Sequence, residues 1–324
     1  MSDLSNNLKK HDSSSAHIVN ADYFLSASDK LKYFLFNLVN NLGTKVRLQN
    51  TRVAKFSPPQ SAIVKHLSAA NEPTSPSRIM SNIFWEQLDW QLIRAQLNGE
   101  LRVLEVGCGT GRYGEKLNYL ASVDSYKGVD IEVREEWQLN QHTHFVFEKA
   151  SFEDFRTFTS RENLIITQSA LEHFDRDLLF FESIGNYAKT CDYPVISIHL
   201  FPSPMCLFTF LFHGIRQYNR RSIAKLIKSS GVPQIADLFV LGGLHSNLFH
   251  LVQITLRSVI LRKPLSSKHV SSYFSKISKV LVRDSRSKSK FSPSFYALVL
   301  AWNTGDNEIK WIDGSKSSRL ASDC

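Results

Sequence analysis

The sequence predicts an α/β fold, in which a doubly wound, mostly parallel sheet of seven strands carries helices on both faces. Two observations predict it. Short apolar runs alternate with helical segments between residues 101 and 200, and a glycine-rich loop follows the first run. Strands that alternate with helices form parallel sheets covered on both faces. N-terminal helices and a helical insertion before the last strand complete the prediction.

The first 75 residues are predicted to form a tail, a helix and a linker. Residues 1–20 are polar and are predicted to be disordered. Apolar residues at helical spacing predict a helix over 23–41. The linker is predicted from four prolines: Pro58, Pro59, Pro73 and Pro76.

The main domain is predicted over 76–310, followed by a polar tail over 311–324. A helix over 77–97 ends at the Asn98-Gly99 turn signal, and Asp175 is predicted to cap a helix over 175–190. The insertion is placed at about 243–290. The predicted strands are 101–106, 126–131, 145–147, 164–167, 195–200, 238–241 and 295–302.

The charge is unevenly distributed along the chain. The net charge is +9, but residues 193–290 alone carry 15 basic and 2 acidic side chains. A basic half of this kind suggests a face suited to an anionic partner. The four cysteines show no C-x-x-C spacing, which predicts a reducing compartment. The N-terminus has no apolar core, so no secretory signal is predicted.

The glycine-rich loop Gly107-Cys108-Gly109-Thr110-Gly111 follows an apolar strand directly. Glycines let the backbone approach a ligand closely, and the N–H groups that begin the next helix favour an anionic group. Gly109, Gly111 and Gly114 also match the dinucleotide pattern G-x-G-x-x-G. Asp130 ends the next strand, where it could accept hydrogen bonds from both ribose hydroxyls. These features alone fit either a nicotinamide enzyme or another nucleoside-binding enzyme.

Two further features distinguish these alternatives. Glu105 is an acid in an otherwise apolar strand, where a dinucleotide loop usually has an apolar residue. The fourth strand is followed by Leu171-Glu172-His173. Together with the glycine loop and Asp130, these residues make residues 100–200 resemble the class I, Rossmann-like methyltransferases that depend on S-adenosylmethionine.

The resemblance implies a role for each matching residue. Glu105 would orient the loop or the amino group of S-adenosylmethionine, and Gln168 would lie where the fourth strand opens toward the sulfonium. Ser151 and Phe152 stand where many relatives have an acid and its neighbour near the adenine. The remaining implied contacts are with the methionine moiety (Gly107, Gly109, Gly111), the ribose (Asp130) and the adenine (Ile131).

The acceptor side is less defined by the sequence. His173 and His199 are predicted as candidate proton acceptors, because a histidine at the rim can take a proton from a hydroxyl acceptor. Some relatives bind a divalent metal through Glu-x-x-Glu-His. The first of those acids falls at Ser169 here, so no metal site is predicted.

The predicted function is methyl transfer from S-adenosylmethionine to a small molecule or a glycan, including a lipid-linked one. The alternatives are a nucleic-acid methyltransferase, suggested only by the basic half, and an NAD(P)-dependent oxidoreductase. A cytoplasmic location is predicted, with peripheral contact at the inner membrane face. Residues 257–290 carry ten basic side chains against Asp284, which would attract them to anionic lipid.

Overall fold

The computed structural model describes residues 12–42, 46–141, 143–257, 270–306 and 308–312. Its centre is a single sheet of eight strands in the order β1-β7-β8-β6-β5-β2-β3-β4. Only β8 is antiparallel to its neighbours, β6 and β7. The strands are β1 (Arg52–Lys55), β2 (Arg102–Val106), β3 (Ser125–Asp130), β4 (Phe145–Lys149), β5 (Leu164–Gln168), β6 (Val195–Pro202), β7 (Ile235–Leu241) and β8 (Phe295–Trp302).

Helices cover both faces of this sheet and confirm the predicted fold class. The first half of the chain has α1 (Ala27–Asn41), α2 (Gln60–Ala69), α3 (Pro76–Gln87), α4 (Trp90–Gln96), α5 (Arg112–Ala121) and α6 (Glu136–Asn140). The second half has α7 (Phe155–Phe158), α8 (Asp177–Thr190), α9 (Cys206–Thr209), α10 (Arg220–Ser229), α11 (Leu244–His250) and α12 (Val270–Arg286). A π-helical segment, Leu251–Leu256, continues α11.

Two apolar cores lie on opposite faces of the sheet. On one face, helices α2, α3, α4, α5 and α12 pack on β2 and β8 through side chains such as Ile63, Phe84 and Ile277. On the other face, α7, α8 and α10 pack through Phe155, Phe180 and Leu226. The strands in the middle of the sheet are buried along their length, which explains their nearly continuous apolar sequences.

The eighth strand lies in the segment predicted to be a linker. β1 pairs in parallel with β7, and the Arg52 side chain donates to the Asp237 carboxylate at 2.9 Å and 2.6 Å. The same segment also contains α2. The prolines of this segment flank these two elements, so their presence does not imply an unstructured linker.

The N-terminal segment is also more ordered than predicted. Ser13, Ser14 and Ser15 are buried, and the Ser14 N–H and hydroxyl both donate to Asp177 at 2.8 Å and 2.5 Å. Asp177 also pairs with the fully buried Arg216 at 2.6 Å. Polar residues can be buried in this way when each finds a partner.

Helix ends differ from the predictions in two places. The helix predicted over 77–97 is two helices, because Leu88 is extended and Asp89 caps α4 by accepting from the Leu92 N–H. Asp175 does not cap α8, which begins at Asp177. At the predicted polar tail, Trp311 is buried and its indole donates to Asp237.

The helical insertion before β8 is present as α11, the π-helical segment and α12. Residues 258–269, which carry part of the predicted basic segment, lie outside the described residues. Within the described ranges, no helix is both long and apolar enough to cross a membrane.

Candidate active site

The loop between β2 and α5 lies where the strand order of the sheet reverses, because β3 and β5 flank β2 on opposite sides. Three of its glycines have a positive φ: 76° at Gly107, 53° at Gly109 and 82° at Gly111. Residues with a Cβ rarely adopt this conformation. Ligands of open parallel sheets bind at such a reversal point, beyond the carboxyl ends of the strands.

The surroundings of the three glycines separate their roles. A Cβ at Gly107 would clash with Ala170, and a Cβ at Gly111 would clash with the Phe147 ring. A Cβ at Gly109 would have no atom of the described residues within 4 Å. Gly107 and Gly111 are therefore required by packing, whereas Gly109 borders open space.

Asp130 ends β3 beside this loop. Its Oδ2 accepts a hydrogen bond from the Gly109 N–H at 2.8 Å, and its Oδ1 accepts one from the Glu132 N–H at 3.1 Å. The Trp137 indole donates to the Gly109 carbonyl oxygen at 2.7 Å. Each carboxylate oxygen has about two lone-pair sites, so Asp130 can hold the loop and still accept from two hydroxyl groups.

Glu105 is buried in β2 and accepts a hydrogen bond from the Tyr126 hydroxyl at 2.6 Å. Burial raises the pKa of Glu105 to about 8, although the Tyr126 hydrogen bond opposes this effect. The carboxyl group is therefore mostly protonated at neutral pH. A Cβ at Gly114 of α5 would lie 2.7 Å from the Tyr126 ring. Glu105 thus fixes the Tyr126 ring, and α5 packs closely against this ring.

The ends of β3 and β4 are adjacent, because the Ala150 N–H donates to the Asp130 carbonyl oxygen at 3.1 Å. Ile131 follows Asp130 directly, and it is 64% exposed. An apolar side chain at this position is therefore open to a ligand that contacts Asp130.

Ser151 and Phe152 come shortly after the end of β4, the strand end that lies beside Asp130. Ser151 caps a short 3₁₀ helix, Phe152–Asp154, because its hydroxyl oxygen accepts a hydrogen bond from the Glu153 N–H. The Phe152 ring stacks on Phe174 with centroids 4.4 Å apart. Phe152 thus belongs to an aromatic group with Phe174 and Phe180.

Gln168 does not face open space at the end of β5, as the resemblance implied. It is buried, its Oε1 accepts from the Trp85 indole at 2.8 Å, and its Nε2 donates to the Ser169 hydroxyl at 3.0 Å. Both ends of the carboxamide are therefore engaged. Ser169, with a φ of 53°, is the residue that lines the cavity beyond this strand.

His199 does not lie at the rim of the site, which corrects its prediction as a proton acceptor. It is 0% exposed, its Nδ1 lies 3.0 Å from the Thr167 hydroxyl, and its ring packs on Phe180 and Phe181 of α8. Burial lowers the pKa of His199 to about 3. Successive side chains of a strand lie on opposite faces of the sheet, and His199 lies on the face of β6 that packs against α8.

His173 is partly exposed and lies in a 3₁₀ helix, Leu171–His173. Its Nδ1 is hydrogen-bonded to the Asp22 carboxylate, and His213 Nδ1 lies 3.4 Å from the other oxygen of Asp22. Burial lowers the pKa of His173, but the Asp22 hydrogen bond and the Glu172 charge outweigh it and leave this pKa above its ordinary value. No local sequence pattern could have identified Asp22, because it precedes His173 by 151 positions.

Two cavities adjoin the first turn of α3. A small one, of about 60 Å³, lies beyond β5 and β6 and is bordered by Ser169, Glu172 and His213. A larger one, of about 470 Å³, lies beside the first residues of α5. Ser75 and Arg78 line both cavities, so the two are neighbours.

The larger cavity brings together basic side chains that the sequence analysis missed. Arg78, Arg112 and Lys116 line it, and Lys116 pairs with Glu86 at 2.9 Å. Arg112 directly follows Gly111, so its place beside the loop could have been predicted from the sequence. Arg78 lies on α3, 34 positions before Arg112, and no pattern marked it.

Comparisons with known proteins give structural neighbours of one kind. A SAM-dependent methyltransferase from Archaeoglobus fulgidus is 17% identical, with 66% of this chain and 94% of that chain covered and a TM-score of 0.39. The N-methyltransferase NodS from Bradyrhizobium japonicum, in complex with S-adenosylhomocysteine, is 14% identical over 76% and 98%, with a TM-score of 0.39. Phosphoethanolamine N-methyltransferase 2 from Haemonchus contortus is 10% identical over 75% and 57%, with a TM-score of 0.42.

No protein-family model and no curated protein matches the chain. The TM-scores of these three neighbours are below 0.5. The fold class therefore rests on the observed strand order.

Proposed function

We propose that the chain is an S-adenosylmethionine-dependent methyltransferase. The observation that carries the proposal is the environment of Gly109. Its Cβ position borders open space, its N–H is held by Asp130, and it lies just before the N-terminus of α5. A nucleoside with an amino-acid side arm suits this arrangement, since the carboxylate accepts hydroxyl groups and the helix end favours an anion.

The donor would supply an activated methyl group, and the chain would supply binding and alignment. Arg78 and Arg112 provide positive charge beside the loop for the carboxylate of the methionine moiety. The other proposed contacts are with the ribose (Asp130), the adenine (Ile131, Phe152) and the methionine chain (Gly107, Gly109, Gly111).

Calorimetry with S-adenosylhomocysteine, NAD and NADP tests this proposal against an oxidoreductase. We expect one site with micromolar affinity for S-adenosylhomocysteine and no binding of the two nicotinamide dinucleotides. Tight binding of NAD or NADP, with no binding of S-adenosylhomocysteine, would instead favour hydride transfer.

The acceptor is proposed to enter the small cavity beyond β5. Glu172 borders it and is fully buried, and its Oε2 has no hydrogen-bond partner among the described residues. Burial raises the pKa of Glu172 above its ordinary value. We propose a small molecule or the end of a glycan as the acceptor, of which only the group to be methylated would enter this cavity.

An apolar surface beside this cavity supports a lipid-linked acceptor. Helix α1 buries Asn37 and Asn40, yet it exposes Leu31, Leu35 and Val39 at helical spacing. The α11 helix and its π-helical continuation bury Ser246, Asn247, His250 and Thr255 and expose Leu248, Val252 and Leu256. Both helices thus expose a row of apolar side chains to solvent, although α1 also buries Tyr33.

These two helices belong to one face of the molecule. Helix α9 contacts both α1 and the π-helical segment, and Phe208 of α9 packs edge to face on Phe34 of α1. Exposed apolar patches of this kind mark interaction sites. Helix α12 packs on α11 and exposes Lys276, Lys279 and Arg283. We propose that this apolar face, assisted by the exposed basic side chains of the neighbouring α12, docks on an anionic bilayer.

Sedimentation with liposomes tests the docking proposal. We expect binding to vesicles that contain anionic lipid, weaker binding as salt rises, and loss of binding in Leu248→Glu/Val252→Glu. Leu139→Glu is the matched control, because Leu139 is an exposed leucine on α6, outside this apolar face. Equal binding to neutral vesicles, or none to either kind, would contradict the proposal.

A further inference from the structure

Asp22, His173 and His213 converge beside the proposed acceptor cavity, which His213 lines. One oxygen or nitrogen from each side chain lies within 4.8 Å of the other two. The three residues come from the segment before α1, from the 3₁₀ helix after β5 and from the loop after α9. The histidine rings are 4.8 Å apart and nearly perpendicular, so they reach the same carboxylate from different directions.

We propose that Asp22, His173 and His213 bind a divalent transition-metal ion. Two imidazole nitrogens and a carboxylate are a set that Zn²⁺, Mn²⁺ and Fe²⁺ accept, with coordination positions left open. His213 Nδ1 is 3.4 Å from Asp22 Oδ1, close to the spacing of ligand atoms in a tetrahedral Zn²⁺ site. His173 Nδ1 is hydrogen-bonded directly to the other oxygen of Asp22, and the ion would replace this hydrogen bond. The Gly214 N–H donates to Asp22 Oδ1 at 3.0 Å, which orients the carboxylate as outer-shell groups do in metal sites.

Glu172 gives an independent reason to place a cation here. Its buried Oε2 has no hydrogen-bond partner among the described residues. It interacts electrostatically with Asp22, His173 and His213. A buried carboxylate oxygen without a partner is costly, and a cation bound by its three neighbours would offset this cost.

The proposed ion would act on the acceptor, so its role rests on the proposed function. His213 is both a ligand and part of the cavity wall. Its side chain is half exposed, so an acceptor oxygen can reach an open coordination position. As a ligand, His173 would position the ion instead of serving as the proton acceptor. The sequence analysis predicts no metal site because Ser169 stands where some relatives have an acid. In the proposed site, Asp22 supplies a carboxylate instead.

Calorimetry with Zn²⁺, on the full chain without a histidine tag and after removal of metal, tests the site directly. We expect one Zn²⁺ per chain with micromolar or tighter affinity, and an absorption band of bound Co²⁺ in the visible range. Asp22→Asn and His213→Ala should each weaken Zn²⁺ binding at least 100-fold. His245→Ala is the matched control, because His245 pairs with Asp284 in a two-residue group and should bind no metal.

Binding of S-adenosylhomocysteine by Asp22→Asn separates this inference from the proposed function. Asp22 has no hydrogen bond to the glycine loop, so we expect this affinity to be unchanged. Failure of the wild-type chain to bind Zn²⁺, or equal Zn²⁺ affinity in wild type, Asp22→Asn and His213→Ala, would overturn the metal site. Absence of S-adenosylhomocysteine binding with normal Zn²⁺ binding would overturn only the proposed function.

Discussion

Asp130 is the single side chain on which cofactor affinity should depend most. Hydrogen bonds to a charged acceptor contribute about 1.5–3 kcal/mol. Asp130→Ala should therefore weaken S-adenosylhomocysteine binding roughly 10- to 150-fold, as measured by calorimetry. Glu132→Ala is the control, since Glu132 is an exposed acid two positions later that pairs with Arg134. An unchanged dissociation constant in Asp130→Ala would show that the ribose contact is misassigned.

Gly109→Val should remove cofactor binding while the chain stays folded. The new side chain would fill the open space at Gly109, and a left-handed conformation would cost about 1–2 kcal/mol. Gly99→Val is a matched control, because Gly99 has a φ of 89° and also has no described atom near its Cβ position. Both variants should lose similar stability in thermal unfolding, but only Gly109→Val should lose binding. Equal affinity in the two variants would contradict this role for Gly109.

At the scale of single residues, the sequence predicted the loop better than the acceptor side. The glycine loop and Asp130 lie together because the loop follows β2 and Asp130 ends the adjacent parallel strand, β3. Local sequence patterns reveal both strands. The partners of His173 and Gln168 are Asp22 and Trp85, which lie far away in the chain. Only the folded structure can bring such residues together.

Among the elements, the N-terminal segment depends on the buried Asp177 at the start of α8. Asp177 and Arg216 are both fully buried, and loss of one partner of a buried pair costs about 3–5 kcal/mol. We therefore expect Asp177→Ala to lower the free energy of unfolding by this amount in urea titrations. Proteolysis within residues 12–22 should also become faster, because Ser14 loses both hydrogen bonds.

Asp29→Ala is the control for this variant, since Asp29 forms an exposed pair with Lys32 within α1. Its unfolding midpoint should not change. Wild-type stability in Asp177→Ala would mean that the N-terminal segment is held by other contacts.

Element types were predictable where an apolar pattern was long or clearly periodic, as in β6, β8 and α8. Strand β1 was missed because it has four residues and lies at an edge, so its sequence shows little alternation. The break between α3 and α4 was missed because the apolar spacing continues through it. There the Asp89 cap, a local hydrogen bond, outweighs the helical pattern.

For the whole molecule, the first 75 residues should be required for folding. They supply the edge strand β1 and the buried side chains Tyr33, Phe56 and Ile63. A chain that starts at residue 76 should therefore aggregate, whereas the full chain should show a cooperative unfolding transition by circular dichroism. Cooperative unfolding of the shorter chain would show that the predicted main domain is independent.

Strand β8 has a consequence for the synthesis of the protein. It lies between β6 and β7, although among the described strands it is the last to leave the ribosome. At roughly 5–20 residues per second, translation from the end of β6 to the start of β8 takes roughly 5–20 s. During this interval the β6 edge lacks its neighbour, and unpaired edges favour aggregation. Slower translation of the last part of the message should therefore increase aggregation of the nascent chain.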